Sequence, residues 1–189
     1  MVAISKREQI ITTALALFYQ HGFHATGIDK IIAQAGVSKK TLYNHFKSKD
    51  ELILATLRKR DEVFRNSIMR ETERLGHTAK ERLLTIFDAH ENWFDGKNFS
   101  GCMFINASAE FSDQQDPNHM VSAEHKRHVR DYLKELAIEA SLEYPELIAQ
   151  QLHLLLEGAI VEAHVSNNKL SAQLAKKIAE ILINHAGNK

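Results

Sequence analysis

The stretch from Ile28 to Phe46 decides how the amino-terminal part of the chain folds, and it has the sequence IDKIIAQAGVSKKTLYNHF. The spacing of its apolar residues predicts two short helices, near 28–35 and 39–46. Gly36 suits a tight bend between them, and Ser38 can cap the second helix. Two short helices joined by such a turn predict a helix-turn-helix.

The second helix of this pair has two chemically different faces. Leu42 and Phe46 lie four residues apart, so they share one face, which we expect to be buried. The opposite face carries Lys39, Lys40, Tyr43, Asn44 and Lys47. Lysines on such a helix suit DNA phosphates, and Lys, Asn and Tyr side chains can reach base edges in the major groove. Ordinary solvated lysines are the alternative, but the turn and the buried pair favour DNA binding.

The charge of the chain is divided unevenly. The 189 residues have a formal net charge of zero, but residues 1–60 hold ten Lys and Arg against four Asp and Glu. The rest of the chain is correspondingly acidic. A basic segment attached to an acidic body favours a polyanionic partner for the amino-terminal segment.

The number of cysteines and the hydropathy of the chain indicate the cellular compartment in which the protein is expected. The single cysteine, Cys102, excludes an internal disulfide framework and a multi-thiolate zinc site. Charged residues begin at Lys6, before an apolar signal sequence can form, and we find no uninterrupted apolar stretch of membrane-spanning length. We therefore expect a cytoplasmic protein with no membrane partner.

The whole chain is predicted to be all-α. A hydroxyl residue followed three positions later by an acid marks helix starts at Ser5, Thr26, Ser48 and Thr78, and glycines and the two prolines mark helix ends. Nine helices result, near 6–21, 28–35, 39–46, 49–75, 79–95, 102–111, 118–143, 146–166 and 171–185.

Residues 22–52, GFHATGIDKIIAQAGVSKKTLYNHFKSKDEL, resemble the DNA-binding domain of the TetR family of bacterial transcriptional regulators. The similarity lies in an ordered set of motifs: Ala-Gly-Val-Ser, Thr-Leu-Tyr and His-Phe-Lys-Ser-Lys. It implies a nine-helix TetR-like architecture, with a three-helix DNA-binding domain at 1–48 and a ligand-binding and dimerisation domain at 49–189. It also implies a homodimer that dimerises through its last two helices, binds a palindromic operator on double-stranded DNA and responds to a small-molecule effector.

The resemblance also implies individual DNA contacts. Phosphate contacts are expected from Thr26, Lys39, Thr41, Tyr43, His45 and Lys49, and base contacts from Lys40, Tyr43 and Asn44. Many members have a small residue at the position of Lys40, so the operator of a generic member should not be transferred to this chain.

The last two helices carry more apolar residues than one buried stripe needs. Because two DNA half-sites require a twofold axis, we expect a dimer interface there rather than a wholly intramolecular core. The interface residues predicted are Leu152, Leu155, Leu156, Ala159, Ile160, Ala163, Leu174 and Ile178.

The segments between the DNA-binding domain and these two helices are rich in aromatic residues, with a few polar ones among them. Apolar walls with sparse polar groups are typical of a small-molecule site, and also of an ordinary core. The effector-binding residues predicted are Phe64, Phe87, His90, Phe94, Met103, Asn106 and Tyr132.

Two other binding chemistries have candidate residues. Cys102 follows Ser100 and Gly101 at a helix start, which makes a cysteine-based redox or electrophile sensor the alternative regulatory mechanism. A metal site is conceivable at Glu124, His125, His128 and Asp131, which are spaced for one helix face. Neighbouring Lys126, Arg127 and Arg130 oppose a cation there, so we expect no metal or cofactor.

An enzyme is the less favoured hypothesis. His90, Glu110, His153 and Glu157 are candidate acids and nucleophiles, but we find no phosphate loop, nucleotide fingerprint or nucleophile elbow. A purely structural helical protein is a third possibility, which the charge division and the outer face of 39–47 oppose. The leading hypothesis is a ligand-responsive transcriptional repressor.

Overall fold

The computed structural model describes residues 4–187, and within this range it contains nine α-helices and no strand. No helix in the described range is both long and apolar enough to cross a membrane. The helices are α1 (Lys6–His21), α2 (Ile28–Ala35), α3 (Lys39–His45), α4 (Lys49–Leu75), α5 (Ala79–Phe94), α6 (Met103–Glu110), α7 (Pro117–Glu139), α8 (Pro145–Val165) and α9 (Ser171–Ala186). The predicted all-α, nine-helix fold is therefore confirmed.

The described residues pack as two compact units. The first unit holds the residues up to Val63 together with Met103–His125, so it joins the helix-turn-helix to α6 and the start of α7. The second unit holds Phe64–Cys102 and the residues from Lys126 onward. The division falls within α4 and within α7.

Local side-chain capping explains most helix starts. The hydroxyl groups of Ser5, Ser48 and Thr78 each accept a hydrogen bond from the backbone N–H three residues later, as predicted. The predicted cap at Thr26 is wrong. Gly27 occupies the N-cap position of α2, and the Thr26 hydroxyl instead donates backward to the Gly22 carbonyl at 2.7 Å.

Helix α7 ends four residues earlier than predicted, because the backbone turns at Ser141. Ser141 has a φ of 53°, in the left-handed region, and its N–H donates to the Ile138 carbonyl. The N–H of Leu142 donates to the Ala137 carbonyl, which completes a Schellman ending. Glycine is the usual residue at this left-handed position, so the serine gave no signal of a helix end.

The core of the first unit fixes the orientation of α3. Gly36 has a φ of 61°, which lets the chain reverse between α2 and α3. Leu42 and Phe46 are almost completely buried, as predicted, and α3 packs against α1 and α2. The guanidinium of Arg7 lies 5.2 Å from the centre of the Phe46 ring and covers it from α1.

In the second unit, α8 packs against α9 and α5, and this packing buries most of the residues predicted for the dimer interface inside the protomer. Five predicted interface residues are buried within the protomer: Leu152, Leu156, Ala159, Ile160 and Ala163. Leu155 is only partly exposed. Leu174 and Ile178, in contrast, are about half exposed. The apolar excess of α8 therefore forms two stripes, and the residues predicted on this helix belong to the inner one.

The outer stripe is apolar and exposed. On α8 it comprises Leu147, Leu154, Val161 and Val165, whose spacing of seven and four residues keeps them on one face. Gly158 lies on the same face, and a β-carbon there would meet no atom of the protomer within 4 Å. On α9 the exposed apolar residues are Leu174, Ile178 and Ile181. An exposed apolar stripe on two neighbouring helices is the kind of surface that a twofold dimer buries.

We expect Leu154→Glu and Ile178→Glu to shift the protein toward monomer without unfolding it, because these side chains are exposed in the protomer and dimerisation would bury the new charges. Leu156→Glu should instead destabilise the protomer, because Leu156 is only 1% exposed. Gln173→Glu, exposed and off the stripe, is the matched control. Analytical ultracentrifugation with thermal melting separates these effects. A wild-type mass near 21.5 kDa at micromolar concentration would contradict the dimer.

Candidate nucleic-acid interface

The surface of α3 carries most of the predicted DNA-contacting residues. Leu42 of α3 and Phe46, the C-cap residue that follows the helix, are buried, so the opposite face of α3 is exposed. The exposed set is Lys39, Lys40, Tyr43, Asn44, His45 and Lys47. Thr41 and Lys49 are half-buried. The structure thus brings eight of the nine predicted residues to accessible positions in one unit.

Few contacts within the protein compete for these groups. Lys39 Nζ lies 3.4 Å from Asp29 Oδ1, but both side chains are largely exposed, and such pairs contribute little to stability. The Thr41 hydroxyl contacts the Ser38 hydroxyl at 2.8 Å. Lys49 Nζ donates to the His24 carbonyl at 3.2 Å, which ties the start of α4 to the loop between α1 and α2.

Thr26 does not present its side chain to solvent. It is completely buried, and its hydroxyl donates to the Gly22 carbonyl, with a longer contact to the Leu17 carbonyl at 3.4 Å. A phosphate cannot reach this hydroxyl without breaking that packing. Thr26 therefore holds the loop between α1 and α2, from which α2 begins.

In the second unit, four of the predicted effector residues lie in or beside a group of packed aromatic rings. Phe64 and Trp93 have ring centres 4.7 Å apart, and His90 lies 6.2 Å from Phe64 and 6.3 Å from Phe94. The His90 ring is buried, and its Nδ1 contacts the Ile86 carbonyl at 2.7 Å. Phe87 is buried on the same helix, α5. The predicted residues Met103 and Asn106 belong to the first unit.

Among the predicted effector residues, Tyr132 has a buried hydroxyl group that makes no hydrogen bond to the described residues. Its hydroxyl oxygen is buried and has no hydrogen-bond partner among the described residues, and the Thr72 hydroxyl in the same unit is in the same condition. Burial raises the pKa of Tyr132, with a further contribution from Glu73. A buried hydroxyl left without a partner costs about 1–3 kcal/mol, so a bound polar atom would be favoured there.

Two open grooves on the protein are lined by residues that were not predicted to bind the effector. A groove of about 360 Å³ lies along α1 and α4 in the first unit, and its lining includes Arg7, Ile11 and Lys59. A groove of about 450 Å³ is lined by Asn66, Met69, Arg70 and Glu73 of α4. Neither lining includes a predicted effector residue.

Cys102 is buried beside a partly buried group of charged side chains that its sequence neighbours do not reveal. Lys126 Nζ donates to Cys102 Sγ at 3.3 Å and to Glu157 Oε2 at 2.5 Å. Burial opposes the charge of Lys126, but Cys102 and Glu157 outweigh it and raise the lysine pKa. His153 lies 3.6 Å from Glu157, and its pKa is lowered chiefly by burial. The pairing residues are 24 and 31 positions apart, beyond any local spacing rule.

The candidate metal and enzyme residues have other partners. His125 Nδ1 contacts Asp61 Oδ1 at 2.7 Å, and the His125 ring stacks on Phe104 with centres 3.8 Å apart. Between residues 4 and 187, no three His, Cys, Asp or Glu side chains gather closely enough to hold a metal ion. Of the candidate acids, Glu110 lies in the first unit and contacts backbone N–H groups, whereas Glu157 pairs with Lys126 in the second.

The fold and the exposed face of α3 define a helix-turn-helix protein with a helical carboxyl-terminal part. Two family models match the chain: "Bacterial regulatory proteins, tetR family" over residues 10–56, and "Tetracyclin repressor-like, C-terminal domain" over residues 79–179. Because the second match alone covers more than half of the chain, the protein belongs to the TetR family of DNA-binding transcriptional regulators. Members of this family are non-enzymatic DNA-binding proteins.

Individual relatives agree with this assignment. The HTH-type transcriptional regulator YjdC of Escherichia coli is 23% identical over 184 residues, which cover 96% of this chain and 95% of that protein. The transcriptional activator FasR of Mycolicibacterium smegmatis is 48% identical over 54 residues, 29% of this chain and 25% of that protein. The crystal structure of SCO4454, a TetR-family regulator from Streptomyces coelicolor, has a TM-score of 0.88 at 27% identity and covers 97% of this chain and 96% of that one.

Proposed function

We propose that this regulator binds a palindromic operator as a homodimer and represses transcription until a small, largely apolar effector releases it. Residues 1–48 would form the DNA-binding domain, and residues 49–189 the effector-binding and dimerisation domain. The observation that carries the proposal is the exposed Lys, Tyr and Asn face of α3, held outward by the burial of Leu42 and Phe46. Repression is supported by the repressor-like description of the matching carboxyl-terminal family.

Within the DNA interface we assign different roles to different residues. Lys40, Tyr43 and Asn44 lie on the exposed face of α3, and we propose that they contact base edges. Phosphate contacts, which fix position but carry no sequence information, are proposed for Lys39, Thr41, Tyr43, His45 and Lys49, and Lys47 is proposed as a further DNA contact.

For the effector, the aromatic rings of the second unit and the Tyr132 hydroxyl support one kind of ligand. A largely apolar molecule would pack on Phe64, His90 and Phe94, and one polar atom of the molecule would pair with the buried Tyr132 hydroxyl. Such a molecule weakens DNA binding only if it binds the DNA-competent form less tightly than another form.

A second candidate is regulation through Cys102, favoured by its contact with Lys126. An ammonium group beside a sulfur is one of the features that make a cysteine reactive. Glu157 holds that ammonium in place at 2.5 Å. An electrophile would form a bond to Sγ, and the added bulk would strain a site in which Cys102 is only 6% exposed.

The roles of bases and phosphates can be separated on a duplex selected from random DNA by the purified protein. Lys40→Ala and Asn44→Ala should each cost about 1–3 kcal/mol on that duplex and much less on random DNA. Lys49→Ala should weaken binding to both and lower the salt slope by about one for each phosphate that is no longer neutralised. Lys97→Ala, an exposed lysine of the second unit, is the control. Equal losses on both DNAs for Lys40→Ala and Asn44→Ala would contradict base reading.

The effector site can be tested with Tyr132→Phe, which removes only the hydroxyl. Stability should be unchanged or slightly higher, because an unpaired buried group is removed. A panel of small aromatic and aliphatic acids can be titrated while the fluorescence of Trp93, the single tryptophan, is recorded. A compound that binds should bind Tyr132→Phe more weakly, and saturating operator should weaken its binding to the wild type about 5- to 150-fold. Unchanged affinity with operator present would contradict release by that compound.

Reactivity of Cys102 can be measured with iodoacetamide, which alkylates Sγ and releases iodide. If Lys126 activates the sulfur, the wild type should be alkylated faster at neutral pH than Lys126→Met, and the alkylated protein should lose operator affinity. Lys134→Met, which removes a half-exposed lysine paired with Glu146, is the matched control. Equally slow alkylation of wild type and Lys126→Met would exclude the cysteine mechanism.

A further inference from the structure

The carboxylate of Glu110, the last residue of α6, binds the loop between α1 and α2. Its Oε1 accepts a hydrogen bond from the Phe23 N–H at 2.9 Å, and its Oε2 accepts one from the His24 N–H at 2.7 Å. Oε2 also lies 2.8 Å from Nδ1 of the His24 ring. We call this set of contacts the Glu110 clamp. All of its members belong to the first compact unit.

Gly22 and Phe111 lie against the clamp, whereas the His24 side chain is 65% exposed. Gly22, which opens the loop, has a φ of 85°, and a β-carbon there would lie 3.0 Å from Glu110 Oε1. The positive φ favours glycine at this position, and any side chain here would also force the carboxylate to shift by a few tenths of an ångström. Next to Glu110, the Phe111 ring packs on Phe23 at 5.8 Å and on His24 at 4.9 Å between ring centres.

The surroundings of the Glu110 carboxylate favour its charged form. Burial alone would raise the pKa of Glu110, but the backbone N–H groups of His24 and Phe23 outweigh it and hold the pKa below its ordinary value. The carboxylate is charged at neutral pH, as an ordinary glutamate is, and the lowered pKa extends the charged form to more acidic conditions. The ionised carboxylate of Glu110 contributes to the free energy of unfolding at pH values above the ordinary carboxyl pKa. This contribution is lost as the pH falls through the lowered pKa.

The clamped loop leads directly into the DNA-binding part of the unit. Thr26, at the end of the loop, is buried and donates to the Gly22 carbonyl, and α2 begins two residues later. Lys49, proposed as a phosphate contact, donates to the carbonyl of His24, the same residue whose N–H the clamp holds. Displacement of the loop would therefore move both the start of α2 and the partner of Lys49.

We propose that Glu110 is a positioning residue for DNA binding, which fixes the loop between α1 and α2 and couples α6 to the helix-turn-helix. Helix α6 is eight residues long, with Met103 at its start and Glu110 at its end. Because Met103 and Asn106 are predicted effector residues, a shift of α6 would reach the loop through the clamp. This last step rests on the proposed effector function, whereas the positioning role rests only on the contacts described.

The test uses Glu110→Gln, which keeps the size of the side chain but removes its charge and one of its two acceptor oxygens. Glu135→Gln, an exposed acid on α7, makes the same change in net charge and is the control. Binding to the duplex selected by the wild type should weaken about tenfold in Glu110→Gln, as expected for the loss of one charge-assisted hydrogen bond. Glu135→Gln should bind as the wild type does.

Amide hydrogen exchange gives a readout that does not depend on DNA. The Phe23 and His24 amides should exchange at least tenfold faster in Glu110→Gln, while the Leu83 and Phe87 amides of α5 should be unchanged. Because coupling is reciprocal, adding the duplex should slow exchange at residues 103–111 in the wild type and not in Glu110→Gln. A general loss of stability would instead raise exchange in both units. His24→Ala, which removes only the ring contact, should have a smaller effect of the same kind.

The outcomes separate the two proposals. Wild-type exchange rates at Phe23 and His24 in Glu110→Gln, or wild-type DNA affinity despite fast exchange there, would overturn the positioning role. Failure of the wild type to select any duplex would contradict the proposed operator reading, and the exchange comparison would then decide whether the clamp holds the loop.

Discussion

The burial of Leu42 and Phe46 is the constraint on which the DNA-binding surface depends. Helix α3 has seven residues, and a helix of that length is not stable in isolation. It is held by the apolar surface that these two side chains bury, at about 1.5–3 kcal/mol for each. Since the spacing of four residues fixes which face is inward, the same burial fixes the outward direction of Lys40, Tyr43 and Asn44.

Other contacts within the first unit hold the exposed face of α3 in a fixed orientation relative to α1, α4 and α6. Gly36 sets the reversal between α2 and α3, Thr26 ties the preceding loop to the end of α1, and Lys49 ties it to α4. The Glu110 clamp adds a contact to α6. The contacts of Thr26, Lys49 and Glu110 restrain the loop between α1 and α2 from three different elements, so the orientation of the α3 face depends on several helices at once. If an effector changes the DNA affinity, as we propose, contacts of this kind can transmit that change to the α3 face.

Sequence reasoning succeeded where the deciding signal was local. The nine helices, the turn at Gly36 and the buried pair on α3 follow from capping residues and periodicity within a few positions. It failed where tertiary packing overrode a local signal, or where a residue other than glycine took the left-handed position at a helix end. The hydroxyl of Thr26 has a spacing to Asp29 typical of a cap, yet it is buried by tertiary packing and donates to Gly22 instead. Helix α7 ends where Ser141 takes the left-handed conformation, a position at which glycine is the usual residue.

Contacts between distant residues could not be predicted at all. Glu110 and Phe23 are 87 positions apart, and no spacing rule joins them. For α8 the hydrophobic pattern fits two apolar stripes, and the sequence does not show which of them packs on α9. The outer stripe itself can be recognised in the sequence, because Leu147, Leu154, Val161 and Val165 are spaced by seven and four residues. The effector residues, in contrast, resemble any aromatic core until an unpaired group such as the Tyr132 hydroxyl is located.

In the proposed function, two copies of the α3 face read two equal half-sites. Sequencing of the DNA retained by the purified wild-type protein from a random library tests it most directly. We predict an inverted repeat, whose half-site centres lie one helical turn, about 10–10.5 base pairs, or a multiple of it apart. Recovery of a single asymmetric site, or of DNA with no shared sequence, would contradict the claim.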